Sequence, residues 1–188
     1  MRNYAQVYLN ELQGMLKKID PLAVERVTDM ILEAYDNERR VFIIGNGGSA
    51  SAASHMACDL SKNTVTEGKP RLKVISLTDN MALFSAIAND CGYENVFIEQ
   101  IKNIFHKGDL LIGISASGNS PNVVKAMEWV NENGGNTIAI VGFTGGKMKE
   151  CATISIFLDH TDYGPVEDGH LIINHMITGF LQKKFAEK

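Results

Sequence analysis

Along the first 37 residues, apolar positions recur at helical spacing. Tyr4, Val7, Tyr8, Leu12, Met15 and Leu16 share one stripe of a helix over residues 3–18. Asp20 followed by Pro21 reads as an N-cap and a first helical position. Val24, Val27, Met30, Ile31, Ala34 and Tyr35 carry a second helix to about Asn37. Beyond that the pattern changes to short apolar runs at 40–44, 73–77, 109–114, 137–141 and 153–158. The middle runs are apolar on both alternating faces, as parallel strands covered by helices on both sides must be. Helical patterns over 49–62, 80–90, 94–105, 120–133 and about 166–186 separate and follow them. The alternation predicts an α/β fold: a doubly wound, five-stranded parallel sheet flanked by helices. One domain is expected, with 1–38 as an N-terminal helical extension and 39–188 as the α/β core. The extension is equally suited to packing on its own domain or on a neighbouring subunit.

Ligands in such sheets bind beyond the carboxyl ends of the strands, where the strand order reverses. Two of the loops that follow strands carry chemistry. Gly45-Asn46-Gly47-Gly48-Ser49-Ala50 opens a helix. Its glycines allow close approach of backbone to ligand, and the N–H groups of a helix start favour an anion. Ser115-Ala116-Ser117-Gly118-Asn119-Ser120-Pro121-Asn122 offers three hydroxyls, a glycine, and a proline suited to a first helical turn. One glycine-rich turn alone is as often a tight connection. Two, both after strands, point to a bound phosphate. Neither matches GxGxxG or GxxxxGK[ST], so no nucleotide cofactor is expected.

Charge narrows the partners. The net charge is −4 and no basic block appears, which removes the electrostatic term that drives nucleic-acid binding. An anionic ligand must then be held by local donors. Cys58, Cys91 and Cys151 are far apart and odd in number, so they read as free thiols in a reducing compartment. The amphipathic N-terminus does not resemble a signal peptide, and no apolar stretch is long enough to span a bilayer. A cytoplasmic protein with no membrane partner is expected.

Ionisable groups cluster in two helical segments. His55 and Asp59 are four apart and share a face. In the closing helix, Glu167 and His175 lie roughly 80° apart around the axis, and His170 roughly 60° to the other side of Glu167. Glu167, His175 and, at the margin, His170 can face one site. Such groups suit proton transfer near neutral pH, or a divalent metal such as zinc. His106 and His160 read as ordinary loop residues. Asp79, Asn89 and Asp90 suit sugar hydroxyls, turns or caps equally. Trp129, Met56, Met127 and Met176 read as core.

These residues together resemble the sugar isomerase (SIS) domain, and within it the phosphoheptose isomerases, almost end to end. The matching segments are 45–50 followed by His55, Ala86-Ile87-Ala88-Asn89-Asp90 with Gly92, the serine loop at 115–120, and the Glu167, His170, His175 spacing. The resemblance implies an aldose–ketose isomerase that converts sedoheptulose 7-phosphate to D-glycero-D-manno-heptose 7-phosphate through an enediol. It implies that Asn46, Gly47, Gly48 and Ser49 contact substrate. Ser115, Ala116, Ser117 and Ser120 hold phosphate, with Ala116 where threonine is frequent. Asn89 and Asp90 meet sugar hydroxyls, Asp90 across a subunit interface. His175 is the catalytic histidine and His55 a zinc ligand.

Two positions depart from the family pattern. Asp59 stands where the family has its catalytic glutamate, and Glu167 stands where a glutamine is usual. Two carboxylates beside two imidazoles favour a cation between them. The implied metal set is His55, Asp59, Glu167 and His175, with Glu167 also at the substrate. A homotetramer with sites near its subunit interfaces is implied as well. The alternatives are an isomerase of another phosphosugar, or a non-catalytic SIS module that binds a sugar phosphate or a protein.

Overall fold

The computed structural model describes residues 3–187. Two helices come first, α1 (Tyr4–Leu16) and α2 (Pro21–Asp36). Asp20 caps α2 as its sequence position suggests. Its carboxylate accepts from the Leu22 N–H at 2.9 Å, and Pro21 fills the first helical position. Strand and helix then alternate: β1 (Arg40–Gly45), α3 (Gly48–Lys62), β2 (Lys73–Ser76), α4 (Met81–Cys91), α5 (Ile98–Ile104), β3 (Leu110–Ser115), α6 (Pro121–Glu132), β4 (Asn136–Val141), α7 (Gly146–Cys151), β5 (Ile154–Phe157) and α8 (Tyr163–Glu187).

The sheet is parallel throughout, in the order β2-β1-β3-β4-β5. Period-two alternation sends side chains to opposite faces. Val41 and Ile43 of β1 join Ile112, Ile114, Ile138 and Ile140 in one core, under α2, α3 and α8. Phe42 and Ile44 join Leu111, Ala139 and Val141 in a second core, under α4, α5 and α6. Val41, Phe42, Ile43 and Ile44 are all fully buried. Each contributes about 1.5–3 kcal/mol of transfer free energy. Both faces being covered explains why the strand sequences show no polar alternation.

The topology also fixes where a ligand can bind. β1 and β3 are neighbours, in register from Val41 opposite Leu110 to Gly45 opposite Ile114. The chain leaving β1 runs to β2 on one side; the chain leaving β3 runs to β4 on the other. Their diverging loops open a crevice at the carboxyl end of the sheet.

Four details differ from the sequence reading. Helix α7 has only six residues and opens on glycines, too short to leave a periodic signal. The segment expected as one helix over 94–105 is a 3₁₀ turn at Tyr93–Asn95 followed by α5. Helix α8 starts at Tyr163 rather than 166. Met176 is exposed, lining an apolar groove with Leu16, Val24 and Phe180 instead of entering the core. As for the extension, it packs on its own domain: Met15, Val27 and Ile31 are core residues. Among the described residues no helix is long and apolar enough to cross a membrane.

Candidate active site

The loops after β1 and β3 form a cradle. Asn46, Ser49, Ser115, Ala116, Ser117 and Ser120, with Tyr163 and Glu167 from α8, line a cavity of about 160 Å³. The chain turns from β1 into α3 at Gly47, whose φ of 55° suits glycine. At Gly48 the absence of a side chain lets the carboxylate of Glu167 lie against the start of α3. Ser115 Oγ accepts from the Gly118 N–H at 3.1 Å and so shapes its own loop. Ser120 is the N-cap of α6, yet its hydroxyl makes no capping bond and instead lies 3.5 Å from Ser115 Oγ. The starts of α3 and α6 both meet this cavity, and their first N–H groups lack intrahelical acceptors. No lysine or arginine lines it among the described residues.

Two residues not assigned a role from the sequence, Asn122 and Tyr93, hold the cradle. Asn46 and Asn122 exchange a pair of amide hydrogen bonds, each 2.9 Å. The Tyr93 hydroxyl also donates to Asn46 Oδ1 at 2.9 Å. Asn122 is buried, and its presence beside the serine loop was the one available signal.

A groove between α3 and α8 leads away from the cradle. Gly48, Ser51, Ala52 and His55 form one wall of a cavity of about 250 Å³; Glu167, Asp168 and Leu171 form the other. Glu167 lines both cavities and joins them. Beyond them the helices bring three ionisable groups together. Asp59 Oδ2 lies 3.3 Å from His55 Nε2 and 3.7 Å from His175 Nε2. The two imidazoles meet edge to face, with centroids 5.3 Å apart. Asp59 is fixed from behind: Asn174 Nδ2 donates to Oδ2 at 2.8 Å, and Asn63 Nδ2 to Oδ1 at 3.1 Å. Its side chain is only 13% exposed, while those of His55 and His175 are 43% and 59% exposed. A held carboxylate between two accessible imidazoles can exchange protons with a bound molecule.

Comparisons with known proteins identify the family. Residues 4–142 match the family model described as the SIS domain. The phosphoheptose isomerase of Helicobacter pylori strain P12 is 37% identical over 180 residues, 96% of this chain and 89% of that protein. That of Aliarcobacter butzleri is 36% identical over 163 residues, 87% of this chain and 86% of that one. The chain belongs to the SIS domain family, among its phosphoheptose isomerases. The solved phosphoheptose isomerase of Neisseria gonorrhoeae superposes with a TM-score of 0.87 at 25% identity, covering 97% of this chain and 96% of that one.

Set against the family pattern, four expected site residues stand elsewhere. Glu167 is not part of the His55, Asp59, His175 group, whose ligand atoms lie within 4.8 Å of one another. It precedes His175 by eight residues, about 12 Å along the helix, and its carboxylate packs against Gly48. The three that remain, two imidazoles and one carboxylate, are a donor set that suits zinc with a position left open. His170 faces the interior. It is 1% exposed, neither ring nitrogen has a partner, and burial pushes its pKa down to about 4. Asn89 and Asp90 are exposed at the end of α4 and hydrogen-bond each other at 2.7 Å. Within this chain they line neither cavity. Their segment reaches the cradle only through Tyr93.

The N-terminal extension touches the site's edge. The Tyr8 hydroxyl donates to Asp168 Oδ2 at 2.6 Å, and that bond to a carboxylate, with burial, pushes the phenol's pKa up to about 12.

Proposed function

We propose that this chain interconverts sedoheptulose 7-phosphate and D-glycero-D-manno-heptose 7-phosphate. The observation that carries the proposal is one cleft with a phosphate cradle at one end and a carboxylate between two imidazoles at the other. The phosphate end of an extended sugar sits among Ser49, Ser115, Ser117 and Ser120, with the backbone of Asn46, Gly47, Gly48 and Ala116 around it. The carbonyl end then reaches along α3 and α8.

There Asp59 takes a proton from C1 of the ketose, and the carbonyl oxygen takes one from His175 Nε2, giving the cis-enediol. Return of the carbon proton to C2, with transfer of the O1 proton to His175, gives the aldose. Asn174 and Asn63 keep the carboxylate aimed, which matters because aspartate reaches one methylene less far than glutamate. In a metal-bound form His55, Asp59 and His175 would instead be the ligands of one zinc ion, which would polarise the carbonyl and stabilise developing negative charge in place of their proton transfers. Glu167, between the two cavities, meets hydroxyls in the middle of the sugar.

A homotetramer fits the exposed surfaces. In α4 only Ile87 is buried, while Met81 and Leu83 lie open, and the groove around Met176 is apolar. A second copy on α4 would bring Asn89 and Asp90 toward a neighbouring cleft. The free thiols Cys58, Cys91 and Cys151 agree with a cytoplasmic enzyme.

The test is incubation with sedoheptulose 7-phosphate, with and without zinc, followed by detection of the aldose. Measurable binding without turnover would sink the assignment. Glu167 favours a second reading, an isomerase of a different phosphosugar, since it puts a negative charge where the family carries a neutral amide. Turnover in a panel of sugar phosphates, but not of the heptose, would select it.

A further inference from the structure

We propose that Tyr163 is a substrate-binding residue that closes the phosphate cradle, its hydroxyl donating to the bound anion and its ring held in place by Phe143. The proposal rests on the reading of the cradle as the phosphate site.

Tyr163 opens α8 and precedes Glu167 by one turn, so both side chains face the same cavity. The cavity is short of positive charge. Its lining contains hydroxyls, an amide and one carboxylate, with no lysine or arginine among the described residues. A phosphate there depends on every neutral donor in reach, and an O–H bond to an ionised oxygen is among the stronger ones. Tyr163 lines the cavity and carries such a donor.

The ring is positioned rather than loose. It is 61% exposed, yet it packs edge to face on Phe143, with centroids 4.9 Å apart and planes at 75°. Phe143 has a φ of 51°, in the left-handed region that bulky residues avoid. Such strain persists only where the surroundings enforce it, and it concentrates at functional sites. Here the Phe143 N–H donates to the His160 carbonyl at 2.8 Å. That bond ties the loop after β4 to the loop after β5, which leads into Tyr163. The strained residue and the bond together set an aromatic platform beside the cradle. Phe143 is a positioning residue that acts through Tyr163.

Three variants test this: Tyr163→Phe, Tyr163→Ala and Phe143→Ala. Turnover of sedoheptulose 7-phosphate and calorimetric binding of inorganic phosphate are both read. Tyr163→Phe keeps the ring and its packing, so it isolates the hydroxyl. It is expected to raise KM and weaken phosphate binding about tenfold, with kcat within about twofold. Tyr163→Ala loses at least as much. Phe143→Ala loses less, in KM and not kcat, and adds nothing when combined with Tyr163→Ala. Unchanged phosphate binding in Tyr163→Phe overturns the proposal, as does a loss confined to kcat. An additive effect of Phe143→Ala removes its positioning role. If the parent protein binds phosphate but does not turn over the heptose, the functional reading fails while the phosphate-binding comparison still decides Tyr163.

Discussion

At the cradle, Ser49, Ser115 and Ala116 are buried at a helix start, a strand end and the loop beyond it, where β1 and β3 end; at the other end of the cleft, His55 and His175 stand exposed on two helices. The cradle is local architecture. Its donors are backbone amides and short hydroxyl side chains, fixed by strand ends, helix starts and the Asn46–Asn122 pair. Little has to move for an anion to bind, and preorganised donors of this kind are worth most. The chemical end is built by packing. Asp59 and His175 meet only because α3 and α8 lie side by side, 116 positions apart in the chain. One side chain, Asp59, is locked, and its two imidazole partners stay open to solvent, substrate and protons. On the proposed function the difference separates binding from turnover, so substitutions at the two ends should act on different kinetic parameters.

The largest effects are expected where the carboxylate and imidazole exchange protons. Asp59→Asn and His175→Ala should each lower kcat by about 10²–10⁴-fold, the usual contribution of a positioned acid or base. Binding of the sugar phosphate, measured calorimetrically, should stay within about threefold of the parent because the cradle is untouched. A comparable loss of binding would show that the two ends are not separable.

Next in size is a contrast between two histidines on one helix. His175 is exposed in the cleft; His170 is buried with neither nitrogen paired. Folding lowers the pKa of His170 from an ordinary 6.5 to about 4. Between those values the unfolded chain carries the proton and the folded chain does not. The unfolded state therefore binds more protons, and stability falls as pH drops through that window. Above pH 6.5 the penalty vanishes; by pH 4 it amounts to about 3 kcal/mol. His170→Leu should remove this part of the acid sensitivity, seen as a smaller shift in urea midpoint between pH 7 and pH 4.5, with turnover at pH 7 retained. Equal acid sensitivity in parent and variant would mean that His170 protonates without cost.

A third expectation isolates the cradle. Ser-to-Ala at an N-cap ordinarily destabilises a helix by about 0.5–2 kcal/mol. Ser120 occupies that position in α6 without making the capping bond. Ser120→Ala should therefore leave the melting temperature unchanged while raising KM about tenfold or more, the cost of one hydrogen bond to a charged group. A drop in melting temperature with unchanged KM would return Ser120 to a capping role.

The same division explains what could be read from the sequence. The five strands, the flanking helices and both cradle loops leave local signals: apolar runs, GNGGSA, and serines before Pro121. Helix α7 does not, because six residues are too few to show a period. At the chemical end, periodicity placed His55 with Asp59, and Glu167 with His175, but not one pair against the other; the family resemblance supplied that link. Angles around a helix axis also misled. Glu167 and His175 lie on one side of α8, yet the rise of two turns separates them, and among the described residues three groups, His55, Asp59 and His175, gather within reach of one metal ion. His170 points to the core because that arc of α8 is continuous with Ile173 and Ile177, both fully buried. Tyr93, Asn122 and Asn174 act through contacts that no spacing rule describes.

The smallest effect should come from Tyr93, and it bears on how rigid the cradle must be. Its hydroxyl donates to Asn46 Oδ1, which also accepts from Asn122. Tyr93→Phe removes one of these two donors and leaves the ring against Phe84, its edge-to-face neighbour at 5.8 Å. Asn46 keeps its exchange with Asn122, so the cradle should loosen rather than collapse. One neutral hydrogen bond is worth about 0.5–1.5 kcal/mol net, which corresponds to a rise in KM of roughly two- to tenfold. No change in kcat is expected, because Asp59 and His175 have no contact with this bond. The 3₁₀ turn that carries Tyr93 follows Asn89 and Asp90 in the chain, so the same variant also asks whether that segment serves the cleft through Tyr93 alone. A rise in KM within this range assigns Tyr93 to holding Asn46. A loss of more than about a hundredfold would mean that the whole segment is needed in place, and that the cradle is less self-sufficient than its loops suggest.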